Sequence, residues 1–433
     1  MNQTSQRAHG VGHPGYTLAL LTLVYVVGGI DKSVMTIVIE PIRAEFRLSD
    51  TQVGFVTSLS FAMAYAVSSV PLGVLADRVN RRYLIAGCVG LWSLMTAASG
   101  LAQSALQLVM MRIGVAASES GSPPAALSMI ADLYPAERRA SAVGVYHVAL
   151  PLASLIALAG GGVIAERWGW RAALISAGLT GLVVAAVFLV TVREPGRTAS
   201  SHTPEPLSLY DALQAIRARK AVLYVIGGAA LSAFASSGLH GWIAIYCVRA
   251  FGVSVSKVGL ALGPVSFVAS TVGALAGGLS ADFLSRGDDR PRARVLGVSC
   301  WIAVPLFIGA FLAPTFATAI LCAGAYMATT FALYGPLFAL LQSLAPVSGR
   351  ATTIAVVYLV LNIVGYGMGS QFVGVLSDLM PGEPDASSLR LALLAEAVVA
   401  LSAGVLFFRA ATSLDAERNL PSASLIAGNP SDA

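Results

Sequence analysis

The chain has 433 residues, of which 56% are hydrophobic and only 11% are charged, with a formal net charge of +5 at pH 7. A soluble domain carries about a quarter charged residues, so this composition excludes an ordinary soluble protein and predicts a polytopic membrane protein. The positive charge does not indicate nucleic-acid binding, because the basic residues concentrate in alternate loops between apolar segments and so reflect membrane topology.

Twelve apolar segments, each long enough to cross about 30 Å of hydrocarbon, follow one another along the chain. The first six are Thr17–Val38, Thr51–Leu75, Leu84–Ala102, Leu106–Ile130, Ser141–Ala165 and Ala172–Val192. The second six are Ala221–Val248, Ser256–Leu284, Val295–Leu312, Thr315–Leu344, Thr352–Leu379 and Leu391–Phe408. We therefore predict an all-α membrane protein with twelve transmembrane helices. The loop charges predict that both termini are cytoplasmic, as in a bacterial-type inner membrane.

The longest polar interruption divides these segments into two sets of six. We predict a cytoplasmic N-terminal tail at 1–16, a first six-helix bundle at 17–192, a cytoplasmic linker at 193–220, a second bundle at 221–409 and a cytoplasmic C-terminal tail at 410–433. The first apolar run lacks a small-residue cleavage site, so we expect it to be retained as a membrane span.

Three short patterns recur in both halves at nearly the same offset. They are Gly73-x-x-x-Asp77-x-x-x-Arg81 with Gly278-x-x-x-Asp282-x-x-x-Arg286, Pro135-x-x-x-Arg139-Ala140 with Pro346-x-x-x-Arg350-Ala351, and Gly162-x-x-x-Glu166 with Gly374-x-x-x-Asp378. Repeats of six spans in the same orientation predict two bundles related by an axis along the membrane normal. A substrate site is then expected between them, near the midplane.

Four charged residues interrupt the apolar segments of the first half. Arg112 and Glu119 are seven residues apart, close to two helical turns, so both side chains leave one face of the fourth span. Asp31 and Lys32 interrupt the first span. A charge at the centre of a membrane helix costs about 2.5 to 3.5 kcal/mol, so such residues normally face a protein interior or a wet cavity. We expect these four side chains to meet in a central cavity.

This arrangement suggests a mechanism for proton coupling. The proton affinity of a buried carboxyl depends on its distance to a cation, so a conformational change that moves Asp31 or Glu119 relative to Arg112 or Lys32 changes proton binding. We predict that the two carboxyls couple to protons and that the two cations bind substrate or switch with it. One proton moving down 100 mV supplies about 2.3 kcal/mol. The alternative is a permanent ion-pair network that only holds the helices together.

Further candidates for the cavity wall lie in the second half. They are His240, Trp242 and Tyr334, together with Tyr358, Asn362 and Tyr366 in the eleventh span. The last three follow i, i+4, i+8 spacing and share one helical face. A packing stripe would give the same pattern, so both interpretations stay open.

The loop between the second and third spans reads Gly73-Val-Leu-Ala-Asp77-Arg78-Val-Asn-Arg81-Arg82. It resembles the hallmark loop GxLaDrxGrr of the major facilitator superfamily, with Asn80 where a glycine is usual. The resemblance implies a cytoplasmic gate formed by Gly73, Asp77, Arg78, Arg81 and Arg82, with Asp282 and Arg286 as equivalents in the second half. The competing interpretation is a basic cluster that only sets topology.

Other motifs resemble the spinster-like branch of this superfamily. They are Asp31-Lys32, Glu40-Pro41-Ile42-x-x-Glu45-Phe46, Arg112-Ile113-Gly114 with Glu119, Pro135-x-Glu137-Arg138-Arg139-Ala140 and Gly169-Trp170-Arg171. The resemblance implies transport of sphingolipids or lysophospholipids, coupled to protons in some members, and roles in coupling and switching for Asp31, Arg112 and Glu119. Lys32 departs from the family, which often has arginine there, and a lysine offers a point charge without the planar fork.

The leading hypothesis is a proton-coupled secondary transporter of an amphiphilic or organic-anion solute, a lysophospholipid or sphingolipid for example, acting as a monomer among membrane lipids. Alternatives are a symporter for small carboxylates or sugar acids, a multidrug efflux antiporter, and a receptor that binds without transporting. No GxSxG, HExxH or nucleotide-binding motif occurs, and the four cysteines form no CxxC. We therefore expect no enzymatic activity, cofactor, metal or nucleic-acid partner.

Overall fold

The computed structural model of the protein describes residues 13–196, 214, 216–283, 289–344, 356–380 and 386–419. Throughout these ranges the regular structure is helical, with no strand. Within the described ranges, nine helices are long and apolar enough to cross a membrane. They include a continuous helical stretch, Glu137–Thr191, that is long enough for two crossings.

The helices of the first half are α1 (Pro14–Phe46), α2 (Asp50–Gly54), α3 (Ser60–Arg78), α4 (Arg81–Ser99), α5 (Ala105–Glu119), α6 (Ser122–Leu133), α7 (Ala136–His147), α8 (Ala149–Leu155) and α9 (Gly161–Thr191). Those of the second half are α10 (Lys220–Phe251), α11 (Val255–Phe283), α12 (Arg290–Leu312), α13 (Phe316–Leu344), α14 (Met368–Leu379) and α15 (Ala386–Asn419). Short π-helical segments, Phe55–Leu59, Ile156–Gly160 and Leu361–Gly367, join α2 to α3, join α8 to α9, and lead into α14.

Local sequence explains where several helices begin and end. Gly169 lies inside the stretch Glu137–Thr191 with φ 85° and ψ 161°, a conformation open to glycine, so this stretch turns there into two spans. Ser49 and Gln52 form a capping box at the start of α2. Asn80 accepts hydrogen bonds from the backbone N–H groups of Arg82 and Tyr83 and so caps α4.

The fourth predicted span is broken in the structure. Helix α5 ends at Glu119, and α6 begins at Ser122 with prolines in its first turn. Proline is favoured there because its missing N–H would have no helical partner. With α4 and the α5–α6 pair, each of the twelve segments predicted from hydropathy is mainly helical where its residues are described, and the predicted all-α, twelve-helix fold is confirmed.

Three hydrophobic clusters show how the two halves pack. One is built from residues of the first half alone, between Leu18 and Val192. A second is built from residues of the second half alone, between Ile216 and Ala411. The third joins the halves and includes Val38 and Leu48 of the first with Leu239 and Ile243 of the second. The halves therefore pack together near the end of the bundle where α1 finishes and α2 starts, which we call the closed end.

Glycines on α11 allow close helix packing, as the spacing Gly273-x-x-x-Gly277 predicts. A Cβ on Gly273 would meet the Ala328 carbonyl of α13, and one on Gly277 would meet that of Ala332. Gly278, the next residue, has nothing within 4 Å of its Cβ direction. The face of α11 that carries Gly273 and Gly277 therefore packs against α13, whereas the adjacent face at Gly278 has no close contact.

We expect Gly273→Ala to destabilise the protein by about 1–3 kcal/mol, because the added methyl group overpacks the α11–α13 contact. Gly278→Ala adds the same methyl group to the same helix in open space and should be neutral or slightly stabilising. Thermal unfolding of the two detergent-purified variants checks this. Equal melting temperatures would contradict the packing described.

Candidate functional site

The four charged residues of the first-half spans come together in the fold. The Lys32 ammonium pairs with Glu119 at 2.6 Å, and both lie beside Gly28, whose missing side chain leaves room for the glutamate. Glu119 is 3% exposed and Arg112 is 4% exposed. Asp31 is 1% exposed and lies within electrostatic range of Arg112 and Glu119. Helices α1 and α5 therefore form one buried charged cluster.

Asp31 and Lys32 are adjacent in sequence but face different surroundings. The Lys32 side chain is 40% exposed, and its ammonium lies 5.4 Å from the Phe61 ring and 5.5 Å from the Tyr65 ring. The Asp31 carboxylate is enclosed within the first bundle, and neither of its oxygens has a hydrogen-bond partner. The roughly 100° between successive helical residues explains this separation.

Arg112 is held over an aromatic ring. Its guanidinium carbon lies 4.9 Å from the Phe61 centroid, a cation–π contact of the kind worth about 0.5–2 kcal/mol. Its Nε has no hydrogen-bond partner. Within the described part of the chain, neither Asp31 nor Glu119 pairs with it inside 4.0 Å. The guanidinium therefore keeps unused donors beside two carboxyls.

Of the predicted tyrosines of the second half, Tyr358 lies near the first half, and Tyr334 and Tyr366 pack among second-half residues. The hydroxyl groups of Tyr334 and Tyr366 are hydrogen-bonded to each other. Tyr358 is 49% exposed and lies within electrostatic range of Tyr65 and Tyr25 of the first half. The Asn362 amide donates to the Tyr358 carbonyl at 2.8 Å. Tyr358 therefore lies near two tyrosines of the first half that are themselves close to Lys32 and Glu119.

His240 and Trp242 occupy less accessible positions. The His240 Nδ1 lies 2.8 Å from the Ser236 carbonyl, and its ring packs edge-on against Phe331. The buried Trp242 indole donates to the Ser370 carbonyl at 3.0 Å. In this conformation both side chains pack inside the second half, and Trp242 links α10 to α14.

The closed end contains an ion-pair cluster that the sequence analysis missed. Arg249, at the end of α10, donates to Glu40 at 3.0 and 3.1 Å and to Asp50 at 2.8 and 3.0 Å. Asp50 is fully buried, and Ser377 of α14 also donates to it. These contacts join the halves. Arg249 directly follows an apolar span, and this position is the sequence signal that could have identified it.

The repeated Gly-x-x-x-acid motif explains a second feature of the closed end. Asp378 accepts hydrogen bonds from the backbone N–H groups of Asp50 and Thr51, the first residues of α2. Glu166 accepts one from Ser256 at the start of α11. Each acid therefore caps a helix of the opposite half, where the positive end of the helix dipole favours a carboxylate. The glycine that precedes each acid by four residues, Gly374 or Gly162, lets the backbones approach.

Two of the predicted gate residues make contacts within the first half. The buried Arg81 pairs with Asp132 at 2.6 Å and with Glu194 at 2.7 Å. Arg82 donates to the Leu189 carbonyl. In this conformation both arginines therefore connect the α3–α4 turn to their own bundle and to Glu194, which directly follows it.

The remaining gate residues are less constrained. A Cβ on Gly73 would meet nothing within 4 Å, as for Gly278 in the second half. Asp77 interacts with another residue of the protein. Arg78 lines a surface pocket together with Glu194. Arg286 and the side chain of Asp282 lie outside the described residues, as does the repeat at Pro346–Ala351.

The sequence matches the profile of the Major Facilitator Superfamily over residues 21–370. It is 30% identical over 390 residues to an MFS-type efflux pump of Mycolicibacterium smegmatis, covering 89% of this chain and 90% of that protein. It is 26% identical to a probable L-galactonate transporter of Escherichia coli, covering 71% of each.

A solved structure supports the same assignment. The crystal structure of a bacterial homolog to the human lysosomal transporter Spinster, in an inward-facing and unoccupied conformation, superposes with a TM-score of 0.84 at 28% identity. The match covers 94% of this chain and 99% of the other. The protein is therefore a multi-pass membrane transporter, not an enzyme, and belongs to the major facilitator superfamily as a spinster-like member.

Proposed function

We propose that the protein is a proton-coupled secondary transporter that moves an amphiphilic organic anion by alternating access. The observation that carries this proposal is the buried cluster of Asp31, Lys32, Arg112 and Glu119 beside the space between the halves. Two carboxyls and two cations leave no net charge when all four are ionised. Binding one proton makes the cluster cationic, which favours an anionic solute.

The surroundings of the cluster support a solute with both an anionic and an apolar part. Lys32 and the guanidinium of Arg112 supply the donors that a phosphate or carboxylate group requires. Phe61 and Tyr65 beside them, and Tyr358 across the space, supply aromatic surface for an apolar or amphipathic body. We propose a lysophospholipid or sphingolipid-like molecule.

The closed end supports the proposal of alternating access. With both termini in the cytoplasm, the closed end faces the outer side and this conformation opens inward, like the spinster-homolog structure it resembles. The Arg249 cluster and the two helix caps are then the outer gate. Gly73, Asp77 and their equivalents close the inner side in the opposite conformation, where the open faces at Gly73 and Gly278 find partners.

We further propose that each six-helix half, 17–192 and 221–409, moves largely as a unit and that the protein works as a monomer in the cell inner membrane. The segments at 1–16, 193–220 and 410–433 then lie on the cytoplasmic side. Core clusters confined to one half support rigid movement of each bundle. The shared cluster at the closed end is the part that must separate.

A direct test uses purified protein in liposomes with an imposed pH gradient. We expect the gradient to drive movement of an anionic fluorescent lysophospholipid, such as a labelled lysophosphatidylglycerol, across the bilayer, and an equal concentration of hexuronate to compete weakly. Hexuronate transport without lysolipid movement would instead support the sugar-acid alternative, which the similarity to an L-galactonate transporter favours. Movement of neither, with binding retained, would contradict transport of either class.

The coupling residues are tested in the same assay with Glu119→Gln, Asp31→Asn and Arg112→Ala. We expect each carboxyl variant to lose pH-driven transport by at least about tenfold, the effect of ~1.4 kcal/mol, while solute binding persists. Arg112→Ala should weaken binding of the anionic solute. A multidrug transporter of cations or neutral compounds would keep its transport after loss of Arg112. Arg171→Ala, which removes an exposed pair with Glu45, is the control.

The outer gate is tested with Arg249→Ala. Its loss removes the ion pairs that cross between the halves and leaves Glu40 and buried Asp50 with Arg43 of their own half. We expect the closed form to lose at least about 1.4 kcal/mol relative to the outward-open form, so the outward-open population should rise roughly tenfold or more. Spin labels are attached at Arg47→Cys and Ser254→Cys, on opposite halves. Double electron–electron resonance should then show a longer distance between the two labels.

Arg171→Ala is again the matched control for the gate. Arg171 lies at the same end, but its ion pair with Glu45 stays within the first half. Its loss should leave the label distance unchanged. An unaltered distance in Arg249→Ala would show that the cluster is not a gate.

A further inference from the structure

Helix α4 carries three buried polar groups that lack partners. The indole N–H of Trp92, the hydroxyl of Ser93 and the hydroxyl of Thr96 make no hydrogen bond in the structure. All three residues are at most 2% exposed. Ser99, one turn further along, is equally buried but donates to the Met95 carbonyl in its own helix. The unpartnered groups are therefore specific to one stretch of α4.

This stretch lies beside Asp31. Thr96 is within interacting range of the Asp31 carboxylate, although the two do not meet hydrogen-bond geometry. Ser93 is pressed against Gly181 of α9, and a Cβ on that glycine would also meet Val27 of α1, one turn from Asp31. Thr96 and Ser93 therefore lie where α1, α4 and α9 pack together around Asp31, and Trp92, one turn before Thr96, lies on the same face of α4.

The unpartnered groups are complementary. The Trp92 indole and the Arg112 Nε can only donate, an ionised Asp31 can only accept, and the two hydroxyls can do both. A buried polar group without a hydrogen-bond partner costs about 1–3 kcal/mol. Several such groups close together therefore require a shared hydrogen-bond partner. Buried water, which typically makes about three hydrogen bonds to such groups, provides one.

We propose that Thr96, Ser93 and Trp92 form a hydrated proton site with Asp31 inside the first bundle, with Thr96 as the residue that positions the carboxyl. This inference rests on the proposed function and extends it. Lys32, whose side chain is 40% exposed, borders the space between the halves, about 100° around α1 from Asp31. The proton and the solute thus bind in separate places and interact through the charges of α5.

The charged groups around Asp31 are consistent with this division. Helix α5 presents Arg112 and Glu119, and α1 presents Lys32. The α4 side facing Asp31 carries Trp92, Ser93 and Thr96, none of which titrates. The nearby surface of α9 is formed by Gly178 and Gly181. A change at Thr96 therefore alters the surroundings of Asp31 without removing a charge.

The experiment is infrared difference spectroscopy of the full-length, detergent-purified protein during a pH titration without solute. The carbonyl stretch of a protonated carboxyl that disappears in Asp31→Asn is assigned to Asp31. We expect Thr96→Val to raise the frequency of this band and to displace its titration midpoint by about one pH unit, the size of one hydrogen bond to a charged group. Thr96→Ser should restore both.

Thr22→Val is the matched control. Its hydroxyl donates to the Leu18 carbonyl of its own helix, so its loss leaves no partner near Asp31. Should Thr96→Val be misfolded, Ser93→Ala provides the second variant, and a smaller displacement in the same band is expected. Retained melting temperature and a displaced band together support the positioning role.

Two results would overturn the inference. A Thr96→Val spectrum identical to that of Thr22→Val, with an Asp31 band present in both, would refute the site but leave proton-coupled transport untouched. Absence of any titrating Asp31 band would refute Asp31 as the proton carrier. The proposed function is tested separately. It fails if a pH gradient moves no solute into liposomes that contain the parent protein.

Discussion

The structure depends on one constraint, which is that a charged group removed from water must have a partner. In the bilayer core an unpaired charge costs several kcal/mol, so charged side chains there need a partner of opposite charge, an aromatic face or an enclosed polar region. The Lys32–Glu119 pair, the guanidinium of Arg112 over Phe61 and the Arg249 cluster with Asp50 are three solutions to this requirement. Each lies where two or more helices meet, so relative movement of those helices would change its contacts.

The two ends of the bundle differ in how they use polar contacts. At the closed end, carboxylates of one half bind an arginine or helix N-termini of the other, and glycines let the backbones approach. Near the α3–α4 turn, Arg81 and Arg82 bind groups of their own half. Polar contacts thus cross between the halves at one end and stay within a half at the other. A carrier needs this difference if one side is to open while the other stays shut.

Adjacent residues on α1 lie in different surroundings. Lys32 borders the space between the halves, and Asp31 points into the first bundle toward α4. The break between α5 and α6 directly follows Glu119, so the helix that carries both Arg112 and Glu119 ends at the cluster. Such a break allows the glutamate to shift relative to Lys32 without bending a continuous helix.

The sequence by itself determined the features that depend on local pattern. Hydropathy predicted the twelve helical segments, and the seven-residue spacing of Arg112 and Glu119 placed both on one helical face. Interrupting charges identified the helices that border the candidate site, because charge in an apolar run is costly whatever the fold.

The tertiary structure decided which groups meet. Arg249 lies far from Glu40 and Asp50 in sequence, and no local pattern relates them. The repeated Gly-x-x-x-acid motif was visible in the sequence, but its role in capping a helix of the opposite half was not, because its partner is a backbone N–H group that every residue except proline carries. The same holds for Trp92, Ser93 and Thr96, whose side chains are ordinary in a membrane helix. Only their enclosure beside Asp31, a consequence of how α1, α4 and α9 pack, makes them significant.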